Sequence, residues 1–129
     1  MELDALIAQY SETHLICDSA HPLLTNSTIE DELRLYNLSR ASSELLLHHF
    51  HLITGKEVNP SSDTTHLSGG QKVILLVLAA LLSLAPRILF YNIPASLDPE
   101  RAEQVRKLIE QYRSQKTEIL ELNDYVLAT

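Results

Sequence analysis

A chain of 129 residues that is 45% hydrophobic and carries mixed charge is long enough to bury one core without disulfide or metal staples. Its formal net charge of −7 excludes a surface built to hold nucleic-acid phosphates and disfavours docking on an anionic membrane by charge alone. The single cysteine, Cys17, has no partner for an internal disulfide and no basic-then-apolar stretch opens the chain, so a reducing cytoplasmic setting is expected, at most peripheral to a membrane complex.

Leu3, Leu6 and Ile7 recur at helical spacing and predict a short helix to about Tyr10. Thr13 to Asp18 reads as a short strand, and Pro22 to Asn26 as a loop. Ser27-Thr28-Ile29-Glu30 has the form of a capping box, with Ser27 as the cap and Glu30 reaching back, ahead of a short helix through Leu33 and Leu35. Ser39 is the next N-cap, for a helix through Leu45, Leu46, Phe50 and Ile53 that ends near Gly55. His48, His49 and His51 fall on that helix. Lacking further ligands at suitable spacing, they predict a solvated or half-buried face and no metal site.

After a polar loop from Lys56 to Thr65, Leu67-Ser68-Gly69-Gly70-Gln71 runs straight into Val73–Ala85, which is apolar except for Ser83. That run falls short of the roughly 20 residues needed to span a bilayer, so a buried helix is expected and no direct membrane span. Pro86 stops it, and Arg87 to Asn92 reads as a buried strand. Asp98-Pro99-Glu100 is a strong helix start, with the cap, the first-turn proline and the first-turn acid each in place. The helix it opens carries Ala102, Val105, Leu108, Ile109 and Tyr112 on one face, and Glu100, Glu103 and Glu110 on its solvated side. Thr117 to Leu122 is a last strand, ending at Asn123-Asp124. The elements predict a single α/β domain over residues 1–129: a small parallel sheet with an inserted helical subdomain at 27–66, followed by helix, strand, helix and strand over 67–129.

Leu67 to Gln71 matches residue for residue the LSGGQ signature of ABC-type ATPases, whose fold is that of the P-loop NTPases. The context agrees in order and spacing: a helix, Pro86, an apolar strand, then Pro94-Ala95-Ser96-Leu97-Asp98-Pro99-Glu100, which resembles the family's stretch from the Walker B motif to the D-loop. Ser96, Leu97 and Asp98 would be D-loop residues at a subunit interface. Leu24 to Leu33 resembles the segment after the family's Q-loop, and Ile119 to Asp124 the strand that ends in its switch histidine. The resemblance covers nearly the whole chain, but only from the Q-loop onward, as in a truncated cassette.

The departures fall on every group that does chemistry in cis. A Walker A loop needs glycines so that backbone N–H groups can wrap phosphates, and a Lys-Ser/Thr pair; the three glycines here, Gly55, Gly69 and Gly70, form no such loop. At the Walker B acids this sequence has Asn92 and Ile93, or Tyr91 and Asn92, depending on where the segment's one-residue shortfall is placed. Neither placement supplies a carboxylate to anchor magnesium or activate water. Asn123-Asp124 stands where the family has His-Asp, and Asp18, Ser19 or Ala20 where it has the Q-loop glutamine.

The resemblance therefore implies a pseudo-ATPase: no catalytic residues, no cofactor of its own, and ATP with magnesium met only through a partner's site. Ser68, Gly69, Gly70 and Gln71 are the candidate nucleotide-contacting residues, acting in trans on a competent ABC ATPase or transporter subunit. One alternative is half of a split ATPase whose Walker A another chain supplies; another is a homodimer without a nucleotide role. The structural alternative for the motif is a glycine-rich turn in which Ser68 simply caps the next helix. Two further expectations concern surfaces. Val73 to Leu82 is apolar all round and predicts an exposed patch for a partner, and the strand ending at Asn123 should be an open edge.

Overall fold

The strand-forming runs pair as a parallel three-stranded sheet in the order β1 (Leu15–Asp18), β2 (Arg87–Tyr91), β3 (Glu118–Leu122), in a computed structural model that describes residues 3–25 and 27–123. Leu15, Ile88 and Ile119 lie in one cross-strand row, and Cys17, Phe90 and Glu121 in another. The central strand is buried at four consecutive positions, Ile88 to Tyr91, as a strand covered on both faces must be. Ile88 and Phe90 face the main core with Cys17 and Ile119; Leu89 and Tyr91 face the other way, under Leu6 of α1 (Leu3–Tyr10). Burial pushes the Cys17 thiol up to about 12, which makes it inert at neutral pH.

The remaining helices are α2 (Ile29–Arg34), α3 (Arg40–Thr54), α4 (Gly69–Leu82) and α5 (Pro99–Arg113), with short 3-10 turns at Thr64–His66 and Ile93–Ser96. The helix signals held where they were local. Ser39 Oγ accepts from Ser42 N, Gly55 takes the left-handed conformation (φ 73°) that closes α3, and Asp98 caps α5 with Pro99 in its first turn. Two boundaries differ. Thr28 caps α2 in place of Ser27, because Thr28 bridges to Asp63 while Ile29 N and Glu30 N donate to Ser62 O and Pro60 O. The 59–63 loop thus draws the entry strand one residue further; Ser27 Oγ donates to Asp31 and Glu30 pairs with Arg34. Likewise α4 ends at Leu82, ahead of Pro86, with the Ser83 hydroxyl turned back onto Ala80 O.

The larger correction concerns α4. No apolar patch is left on it: Val73 to Leu81, nine consecutive residues, are all buried. α3 lies along one side with Leu46 and Phe50, while β1, β2, α5 and the Ile93–Ser96 turn close the others. The sheet's inner face and the helices α2 to α5 therefore share one cluster. No helix among the described residues is long and apolar enough to cross a membrane.

With no exposure at Leu78, Leu78→Ala should cost about 2–5 kcal/mol through lost transfer energy plus a cavity, read from the midpoint of urea unfolding at unchanged slope.

Candidate functional site

Ser68 and Gln71 hold the start of α4 reciprocally. Ser68 Oγ accepts from Gln71 N at 3.1 Å, and Gln71 Oε1 accepts from Ser68 N at 2.9 Å. Lys72 N is already bonded to Ser68 O, so the donors left over in the first turn are Gly69 N and Gly70 N, neither of which has a partner among the described residues. They sit at the positive end of a 14-residue helix whose body is fixed in the core.

The two glycines are not equivalent. A Cβ on Gly70 would meet Ser96 O at 3.3 Å and Leu97 Cδ2 at 3.6 Å, so this residue is small because the Ser96-Leu97 backbone crosses close behind it. Around Gly69 a Cβ would meet nothing within 4 Å, and its backbone is ordinary helix. Ser68, Gly70, Gln71 and Ile74 line a cavity of about 220 Å³ with Ser96, Leu97, Asp98 and Arg101. The starts of α4 and α5, some 30 positions apart in sequence, thus open on one pocket, where Ser96, Leu97 and Asp98 meet Ser68, Gly70 and Gln71. Its charges are the Asp98 carboxylate, which accepts from Arg101 N at 2.9 Å, and the half-buried Arg101. Because a helix pays about 1 kcal/mol for glycine over alanine, Gly69→Ala should be neutral to stabilising. Gly70→Ala should fall below it in melting temperature, with the Ser96 carbonyl forced to give.

At the end of β2 the side chains serve packing. Ile93 is 5% exposed and belongs to the main core; Tyr91, also 5% exposed, packs with Leu6 and Leu89 on the opposite face. Asn92 lies between them in the left-handed conformation (φ 56°), which asparagine tolerates, and its N–H donates to Leu122 O at 2.9 Å. No acid occupies any of the three positions. Asn123, half-buried, directly follows β3; Asp124 lies outside the described residues. At the Q-loop position Asp18 accepts from Ala20 N and pairs with His21, and Ser19 N donates to Tyr91 O. His49 reaches Tyr112 Oη at 3.5 Å, and its imidazole is lowered by burial and by neighbouring His48. Among the described residues no three His, Cys, Asp or Glu are placed to hold a metal.

One residue escaped the sequence reading. Glu32 is 1% exposed, and its carboxylate accepts from Leu24 N, Thr25 N and Thr25 Oγ1 at 2.9–3.1 Å, clamping the 22–25 loop to α2. In sequence it is the third of three adjacent acids in a helix's first turn, Glu30-Asp31-Glu32, and nothing distinguishes the one that turns inward.

No family model matches the chain, and no curated protein does. Solved structures do. An ATP-binding subunit of an ABC transporter superposes with a TM-score of 0.66 at 23% identity, over 95% of this chain and 55% of that one. A bacterial Atm1-family ABC exporter with ATP bound gives 0.66 at 18% identity, over 87% of this chain and 21% of its own. At these identities the likeness is one of fold: a mixed α/β, ABC ATPase-like architecture. The chain spans about half the length of the ATP-binding subunit and about a fifth of the exporter.

Proposed function

We propose that the chain is an ABC-ATPase-like binding module that does not hydrolyse ATP itself and presents Ser68 to Gln71 to a nucleotide held by a second, competent ATPase subunit. Gly69 carries this reading. The capping box accounts for Ser68 and Gln71, and the Ser96-Leu97 crossing accounts for Gly70. Folding makes no such demand on Gly69: its φ is not positive, no neighbour crowds it, and glycine weakens a helix. What a bare Cα provides there is room for an external group to approach Gly69 N and Gly70 N, the unpaired donors that a phosphate would occupy. ATP and magnesium are then the partner's ligands. The cis half of the chemistry has little support: Ile93 and Tyr91 are packed away and Asn92 cannot serve as a carboxylate base.

The test is a native pull-down of the tagged chain with and without ATP and magnesium, with captured proteins identified by mass spectrometry. A Walker A-bearing ATPase should be retained, and more strongly with nucleotide. Ser68→Arg should abolish the nucleotide-dependent part. Gly69→Ala should weaken it while leaving the melting temperature unchanged or raised, which separates ligand approach from folding. The purified chain alone should show no ATP turnover. Capture indifferent to nucleotide, or untouched by Gly69→Ala and Ser68→Arg, would overturn the proposal.

A further inference from the structure

Another cavity lies at the opposite end of α4, about 20 Å along the helix from Ser68, and the proposed function makes no use of it. Its volume is about 540 Å³, more than twice that of the pocket beside Ser68 and within the range that takes a small organic molecule. Leu45 of α3, Leu81 of α4 and Tyr112 of α5 wall it, with Leu84 and Pro86 from the turn into β2. Leu84 is 85% exposed and Leu45 41%, so two leucines at one concave site leave apolar surface in water. Lys116 is the one charged residue in the lining, which holds no Asp or Glu. In a chain with 17 acidic residues against 10 basic ones, that absence of carboxylates makes the cavity a locally positive place. Main chain alone fixes the lysine there: Nζ donates to Ser83 O at 2.7 Å and to Ala85 O at 2.9 Å, just past the negative end of α4. Those acceptors take two of the three ammonium N–H groups and bring no formal charge, and no carboxylate pairs with Lys116 among the described residues. Burial lowers the ammonium below the ordinary lysine value, as it does for a charge without a counter-ion.

We propose that this cavity binds an amphiphilic monocarboxylate, an acid with a short alkyl tail, whose carboxylate accepts the remaining N–H of Lys116 while its tail covers Leu45, Leu81 and Leu84. The two halves of the lining select that occupant together. A neutral apolar molecule would bury the ammonium further and leave it without a counter-charge. A small inorganic anion would answer the charge and leave both leucines in water. An apolar amine would meet a like charge at Lys116. A carboxylate with a tail satisfies both halves, through a charge-assisted hydrogen bond at one end and covered apolar surface at the other. Thr117 Oγ1, on the same wall and without a hydrogen bond among the described residues, offers a second donor to the carboxylate. This binding needs no nucleotide and stands or falls apart from the function proposed above.

Octanoate is the probe, titrated into the full chain and followed by the methyl resonances of Leu45 and Leu84. Both should shift and saturate. Octanol and octylamine, with the same tail, should bind about tenfold more weakly or worse, since each lacks the charge-assisted bond to Lys116. Acetate, without the tail, should give no saturable shift. Lys116→Met should weaken octanoate by about tenfold, and Lys116→Arg should recover most of the loss. Because Lys116→Met also releases Ser83 O and Ala85 O, Leu84→Asp serves as the companion variant. At a position 85% exposed it should leave the melting temperature unchanged while setting a like charge against the ligand, with a comparable loss of affinity. Octanol binding as tightly as octanoate, octanoate shifts that never saturate, or octanoate affinity unaltered in both Lys116→Met and Leu84→Asp would rule the site out.

Discussion

The constraint on which the rest depends is the enclosure of α4. A helix with nine consecutive buried residues has no solvent side, so the fold must provide walls on all of them. A three-stranded sheet covers one. Others come from α5 on the return from β2 and from α3, laid across by the excursion between β1 and α4. The excursion is thus part of the core as well as an arm: Leu46 and Phe50 of α3 share a cluster with Ile88 and Phe90 of β2. Each such apolar side chain contributes about 1.5–3 kcal/mol on burial, and concentrating them in one helix makes that helix the rigid axis of the domain.

How much of this could be read beforehand follows from the range of the forces. Asp98-Pro99, Ser39, Gly55 and Ser68 were legible because caps are settled within four residues by bonds that the sequence itself spells out. The buried strand Arg87–Tyr91 and the helix that starts after Ser68 were legible for the same reason, as runs and spacings. The cap of α2 was misplaced by one residue because Thr28 and Ser27 are held by partners near Asp63, 35 or more positions on. Burial of α4 was misjudged for a related cause. The apolar circumference is visible in the sequence, but the number of walls available to cover it is a property of the tertiary arrangement. Glu32 shows the limit most plainly: its burial depends on two backbone N–H groups in a loop whose path no local rule specifies.

The end of β2 illustrates how packing and chemistry compete for the same positions. A strand that leaves the centre of a sheet offers side chains alternately to its two faces, and residues just past its end can remain polar only if the structure leaves them a wet exit. Here Tyr91 is claimed by the α1 face and Ile93 by the main core, so a carboxylate at either would have to be desolvated, at a cost of several kcal/mol, or force its neighbours apart. Placing an acid at either position would therefore work against the packing on that face.

The start of α4 is under the opposite condition. Because its body cannot shift, its first turn is held in one place, and the entropy of ordering that turn is already spent in folding. A ligand approaching Gly69 N and Gly70 N would find donors that are aimed and need no reorganisation, with the D-loop-like residues fixed beside them by the same enclosure. Small residues alone would make a flexible turn. Anchored to a helix with no free face, they make a rigid one, and the proposed contact with a nucleotide draws on that rigidity.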